Sequence, residues 1–208
     1  MICVPLRITK AAPLIKAIKQ AEKVGDLTEI WFDEIQDLDD KNLEKIFKTT
    51  KKPVLYKFMG DKTLLDQVLQ FKPAYIDVDI ATRKPLIQSI RHSSPKTKLI
   101  ISFHDFDQTP ANAKLHSIIK KMQTKGADIA KLATYAKDFT DAMRTLSILS
   151  EQKKPTIMIS MGKHGQLTRS AGHLLGNYLM YAPLDAASKT APGQLTAKEL
   201  RKIYQSCH

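Results

Sequence analysis

The chain has 208 residues, 43% hydrophobic and 26% charged, with a formal net charge of +12. This composition is ordinary for a soluble globular protein, with no low-complexity tract; no apolar run reaches the length of a membrane span, and no signal peptide opens the sequence. The basic residues are dispersed (KTTKK at 48–52, RKPLIQSIRH at 83–92, KK at 120–121 and 153–154), with no arginine-rich arm and only 7% aromatic residues, so a solvated basic surface is a better reading than a nucleic-acid or membrane partner.

The first strand is expected over 2–8 (ICVPLRI) and the first helix over 13–23. Cys3 in that strand and Cys207 near the other end have no metal-like spacing, and both are expected to be free thiols in a reducing cytoplasm. The second pair is EIWFDE (29–34) with a helix at 40–50, and the third is PVLYKF (53–58) with 61–71. YIDVDI (75–80) precedes a helix at 82–93. KLIISFHDF (98–106) precedes one at 110–125, where Leu115, Ile118, Ile119 and Met122 recur at helical spacing. DIAKLATY (128–135) leads to 138–152, PTIMISM (155–161) to 166–176, and YLMYAPL (178–184) to 196–206, which opens on a capping box of Thr196 and Glu199. Strands that alternate strictly with helices imply parallel pairing through crossovers. Eight such units predict a (β/α)8 TIM barrel, a single domain over 1–208. A doubly wound open sheet is the weaker alternative, because no glycine-rich phosphate loop follows the first strand.

In such barrels the active site lies at the C-terminal strand ends, and side chains alternate between inward and outward. The expected inward positions there carry Glu29 and Asp33 around Trp31, then Lys57 and Met59, Asp77 and Asp79, Ser102 and His104, Lys131, and Met161. An ordinary barrel core would hold aliphatic residues at many of these places. Several strands aim ionisable groups at one end instead, which points to an enzyme. Lys131 interrupts the apolar run ADIAKLA (127–133). Taken alone, such a strand favours a lysine whose stem packs while its amine reaches solvent or a salt bridge. A neutral amine in an apolar setting would instead be a nucleophile toward a carbonyl, giving a Schiff base that serves as an electron sink. His104, on the adjacent strand, shifts the balance toward that chemistry by adding a general acid/base.

These residues resemble type I 3-dehydroquinate dehydratase, the Schiff-base dehydratase of the shikimate pathway. The resemblance runs along EIWFD (29–33), YIDVDI (75–80), ISFHDF (101–106), ADIAKLA (127–133), ISMGKHGQLTRSAG (159–172) and TAPGQLT (190–196). It implies loss of water from 3-dehydroquinate to give 3-dehydroshikimate on the way to chorismate and aromatic amino acids, in the cytoplasm, with no cofactor and no metal. It assigns Lys131 to the imine with the C3 ketone. His104 would move the C2 proton to the departing C1 hydroxyl in a syn elimination. Arg169 matches the arginine that pairs with the substrate carboxylate, and Thr190 and Gln194 match the closing loop, with Thr190 where serine is usual. Glu29 belongs to the substrate contacts. Lys57, Asp77, Met161 and Tyr181 are further candidates, Ile159 would line the pocket, and Tyr181 stands where phenylalanine is usual. The partner is the small-molecule substrate, and a homodimer is allowed.

The chain departs from the family pattern at the hydroxyl-binding end. Trp31 and Met59 stand where arginines are expected, and Asp61 is the nearest candidate for the acid that braces the histidine. Asp77 and Asp79 stand where Asp-x-Glu is frequent. Lost charged hydrogen bonds cost about 1.5–3 kcal/mol each, so a weaker or altered pocket is expected, with Lys57 as a replacement cation. The alternatives are an aldolase-like lysine enzyme on an anionic sugar-like substrate and a catalytically weakened or non-catalytic barrel.

Overall fold

The computed structural model describes residues 1–206. Cys207, expected as a free thiol, lies outside the described residues. Eight parallel strands form one sheet in the order β7-β6-β5-β4-β3-β2-β1-β8. They are β1 (Ile2–Leu6), β2 (Leu27–Ile30), β3 (Val54–Lys57), β4 (Tyr75–Asp79), β5 (Lys98–Asp105), β6 (Ile129–Tyr135), β7 (Thr156–Met161) and β8 (Met180–Tyr181). The intervening helices are α1 (Ala11–Val24), α2 (Asp40–Thr49), α3 (Lys62–Gln70), α4 (Lys84–Ser93), α5 (Asn112–Thr124), α6 (Phe139–Ser150), α7 (Gln166–Ala171) and α8 (Ala197–Ser206). The strict alternation yields the expected (β/α)8 barrel, since each crossover helix returns the chain to the same end of the sheet.

Each helix buries one face against the strands. On α5 the buried set is Leu115, Ile118, Ile119 and Met122, and each such side chain contributes about 1.5–3 kcal/mol by leaving water. The helix starts are capped as their sequences dictate. Asp39, Asp61 and Asp138 accept backbone N–H bonds at the heads of α2, α3 and α6. Thr196 and Glu199 form the expected box at α8, with Thr196 N donating to Glu199 Oε2 at 2.8 Å and Glu199 N to Thr196 Oγ1 at 3.3 Å.

Three elements differ from expectation beyond the fraying of one or two residues. β2 stops at Ile30, and Phe32–Glu34 form a 3-10 turn. Phe32 is fully buried there, edge-on to Tyr56, and Asp33 accepts from the Tyr56 hydroxyl (2.6 Å) and the backbone N–H groups of Met59 and Asp61 (3.1 and 3.0 Å). The turn therefore ties down the loop after β3 and removes Asp33 from the inward row. The helix expected over 166–176 is α-helical only to Ala171; Gly172–Leu175 tighten into a 3-10 turn ended by Gly176 at φ 81°.

The third difference is β8, which pairs only over two residues and only with β1. Between β7 and the chain entering β8, one backbone bond and two side chains, Asn177 and Thr168 of α7, stand in for the ladder. Tyr178 N donates to Thr156 O at 3.0 Å, Met158 N to Asn177 Oδ1 at 2.8 Å, and Ser160 N to Thr168 Oγ1 at 2.9 Å. Thr156 O, Met158 N and Ser160 N on the buried edge of β7 are thereby paired without a strand partner. Pro183, which has no N–H, limits the extension of β8.

Candidate active site

The inward rows of the strands end in a cavity of about 480 Å³ at the C-terminal mouth of the barrel. Among the expected site residues, Glu29, Lys57, His104, Lys131, Met161, Arg169, Tyr181, Thr190 and Gln194 all line it. Ile159, Trp31 and Met59 line it too. The strand register explains the convergence: Lys57 is level with Asp77 across β3 and β4, and Ser102 with Lys131 across β5 and β6. Phe58, Phe106 and Ala133 add apolar wall. Phe106 was not singled out in the sequence, although it shares parity with His104; its ring stacks on the imidazole at 6.1 Å between centroids.

Asp77 does not reach the cavity. It is wholly buried beneath the floor and acts as the hub of a charged cluster. Its Oδ2 accepts from Lys131 Nζ at 2.7 Å. Its Oδ1 accepts from Lys57 Nζ at 3.0 Å and from Ser102 Oγ at 2.6 Å. Lys57 also donates to Ser102 Oγ at 3.2 Å. Although burial opposes its charge, Lys131 and Lys57 hold the Asp77 carboxyl far below the usual range.

Lys131 is buried, 4.0 Å from Glu29 Oε1, with its ammonium 4.1 Å from the centre of the Tyr181 ring. Burial alone would favour the neutral amine, as the apolar strand led us to expect. Asp77 and Glu29 outweigh it and hold the ammonium above its ordinary value. The expectation that apolar neighbours free the amine is thus corrected: the carboxylates of β4 and β2 point at the same nitrogen. Burial raises the Glu29 carboxyl, against the pull of Lys131, and Trp31 Nε1 donates to Glu29 Oε2 at 3.0 Å. The Arg7 guanidinium lies over the Trp31 ring, 4.7 Å from its centre.

His104 is depressed to about 3, by burial first and then by the charges of Lys131 and Lys57, and is therefore a neutral imidazole near neutral pH. Asp61 does not brace it. That carboxylate is the cap of α3, bonded to Thr63 N and Leu64 N at 3.0 Å each.

Arg169, on α7, is 2% exposed. Among the described residues its side chain makes one hydrogen bond, from Nη1 to Tyr181 O at 3.3 Å, and its Nε has no partner. Among the described residues no carboxylate lies within ion-pair distance of it. Burial lowers its pKa to about 10, so it keeps its charge. The loop before α8 closes this side. Gln194 Oε1 accepts from Thr190 N (2.8 Å) and Ala191 N (3.2 Å), and Nε2 donates to Thr190 Oγ1 at 3.1 Å. Gly193, at φ 77°, lies against Gly162, where a Cβ would meet the carbonyl oxygen at 2.1 Å.

A buried lysine beside a neutral histidine, opposite a buried guanidinium with no acid, can form an imine with a ketone that carries an anionic group. The Type I 3-dehydroquinase family model matches residues 2–208. A bifunctional 3-dehydroquinate dehydratase/shikimate dehydrogenase from Arabidopsis thaliana is 31% identical over 98% of this chain, which spans 36% of that protein. A 3-dehydroquinate dehydratase from Methanococcus maripaludis is 29% identical, with 99% of each chain covered. Among solved structures, a type I 3-dehydroquinate dehydratase from Clostridium difficile superposes with a TM-score of 0.86 at 25% identity, covering 100% of this chain and 91% of its own. The 3-dehydroquinate dehydratase from Geobacillus kaustophilus, at 22% identity and a TM-score of 0.87, shares the fold over 99% of this chain and 90% of its own. With its strand-end motifs gathered in one cavity and its whole described length matched, the chain belongs to the type I 3-dehydroquinase family.

Proposed function

We propose that this protein dehydrates 3-dehydroquinate to 3-dehydroshikimate through a Schiff base on Lys131. Family membership supports the reaction. The observation that carries the binding mode is Arg169, a buried charged guanidinium without an acid, facing the cavity that holds Lys131 and His104. A planar carboxylate completes it through two parallel hydrogen bonds.

The Lys131 amine, once deprotonated, attacks the C3 carbonyl carbon; loss of water from the carbinolamine leaves an iminium. The iminium acidifies the neighbouring C2–H. The neutral His104 imidazole takes that proton, and the C–H electron pair moves into an enamine. The enamine expels the C1 hydroxyl, which receives the proton from His104, now a strong acid because its pKa is depressed. Hydrolysis of the imine releases the conjugated product and restores the lysine. One water leaves the substrate; the water lost on forming the imine returns on its hydrolysis. One histidine serving both proton transfers gives syn stereochemistry.

Glu29, Thr190 and Gln194 contact substrate hydroxyls and close over them, and Met161, Ile159 and Tyr181 pack the ring. With Trp31 and Met59 in place of arginines, the polyol end binds more weakly or prefers other hydroxyl patterns. The step lies on the route to chorismate, and the free buried thiol of Cys3 agrees with a reducing cytoplasm. Among the described residues no helix is long and apolar enough to cross a membrane.

The test is the appearance of the conjugated enone absorbance on mixing with 3-dehydroquinate. Wild-type protein is expected to produce it and Lys131→Met to lose it entirely. Equal rates in the two proteins would refute the assignment.

A further inference from the structure

Lys57 stands out among the cavity residues because the reaction steps above do not use it. It is a lysine 8% exposed, on β3, and its amine is spent on the hub rather than on solvent. Its Nζ donates to Asp77 Oδ1 at 3.0 Å and to Ser102 Oγ at 3.2 Å, while Lys131 holds the opposite oxygen, Oδ2, at 2.7 Å. Two ammonium groups thus share one fully buried carboxylate.

The sharing has a consequence for imine formation. Lys131 must give up a proton before its lone pair can attack; the proton leaves toward solvent through the cavity mouth and the ammonium becomes a neutral amine. If Lys131 were the only cation at Asp77, that step would strand a buried carboxylate, which is strongly unfavourable. The proton would then be held tightly. With Lys57 on Oδ1, Asp77 stays paired throughout.

We infer that Lys57 is a positioning residue for this chemistry: it holds Asp77 in place and supplies the standing cation that lets Lys131 lose its proton. The inference rests on the Schiff-base reading. The titratable groups around Lys131 are Cys3 on β1, Glu29 on β2, Lys57 on β3, Asp77 on β4, His104 on β5 and Tyr181 on β8, with Asp79 of β4 and Arg169 of α7 further along the same cavity wall; among the described residues β7 presents Ile159 and Met161 to it. Cys3 and Tyr181 are pushed up by burial and stay neutral. Glu29 is raised by burial and lies 4.0 Å from Lys131, so it compensates less well than a bonded carboxylate. Lys57 is the cation that bonds the same carboxylate.

The experiment measures the rate of borohydride trapping with 3-dehydroquinate across pH for wild type, Lys57→Met, Lys57→Gln and Lys57→Arg. The position of the alkaline rise reports when the amine becomes neutral and does not depend on how much protein folds. Removing the cation, by Met or Gln, is expected to move that rise about one pH unit or more upward, equivalent to about tenfold slower trapping near neutral pH, as for loss of a nearby like charge. Lys57→Arg keeps the charge and is expected to stay near the wild-type position. A rise that stays put in both Met and Gln variants, or that moves equally in Arg, overturns the inference, because a merely structural role would lower the amplitude alone. Wild-type protein that traps nothing at any pH rejects the imine reading itself, and this inference with it.

Discussion

Arg169 illustrates how one residue trades stability for recognition. Its guanidinium is buried with a single 3.3 Å bond to a backbone carbonyl and an unpartnered Nε, a costly arrangement for the folded protein alone. Substrate carboxylate would repay that cost. Arg169→Met is therefore expected to raise the melting temperature by a few degrees, since about 1 kcal/mol corresponds to about 2–4 °C in a domain of this size. The same change should lower kcat/KM about ten- to a hundredfold, mostly through KM, as the charged hydrogen bonds are lost. Thermal melting and steady-state kinetics on the same preparation check both. A lower melting temperature with unchanged KM would contradict the assignment. Lys131 and His104 were legible in the sequence as polar residues on otherwise apolar strands, whereas Arg169 was reached only through the family resemblance of the glycine-marked motif around it. The charge on Lys131 was not, because it depends on Asp77 and Glu29 from two other strands converging on its nitrogen. Asp61 misled for a related reason: a carboxylate before a helix is as readily its cap as a histidine's partner.

At the scale of elements, the barrel is held closed between β7 and β8 by one backbone bond and by side chains. Asn177 Oδ1 accepts the buried Met158 N–H at 2.8 Å, and Asn177 Nδ2 donates to Leu179 O at 3.1 Å. Asn177→Ala leaves buried backbone groups unpaired and is expected to cost about 1–3 kcal/mol of stability, read as a shift in the urea midpoint. Asn177→Asp keeps an acceptor for Met158 and should cost less. The loop before α8 packs as closely: Gly193→Ala would place a Cβ 2.1 Å from the Gly162 carbonyl. It should displace the Thr190–Gln194 loop and raise KM while leaving the melting temperature nearly unchanged, because the loop is at the surface. Alternation of strand and helix was readable because the hydrophobic period is local. The seam was not, since a side chain replacing a ladder bond carries no periodic signature. The early end of β2 follows from Asp33 bonding to Tyr56 and to two backbone N–H groups more than twenty residues away, which likewise no local pattern encodes.

For the whole molecule, the buried site makes stability depend on pH. His104 titrates at about 3 in the folded protein and near 6.5 when unfolded, so between those values the unfolded chain binds the extra proton. Its contribution is fully present above about 6.5 and is lost as pH falls toward about 3. Asp77, held low by two lysines, adds a loss of the same sign at the acid end. The melting temperature should therefore fall as pH drops through this window, and His104→Gln should flatten the upper part of the fall. The strict βα alternation made the barrel legible as a whole, and the barrel in turn told which residues of distant motifs would meet at one mouth. What the alternation could not convey is that Lys57, Asp77, Ser102 and Lys131 form one bonded cluster, which is a matter of ångström-scale register between β3, β4, β5 and β6. The most direct test of the account is borohydride reduction in the presence of 3-dehydroquinate, followed by peptide mass mapping. The account predicts a single covalent adduct on the peptide bearing Lys131. An unmodified protein, or an adduct on any other lysine including Lys57, would contradict it.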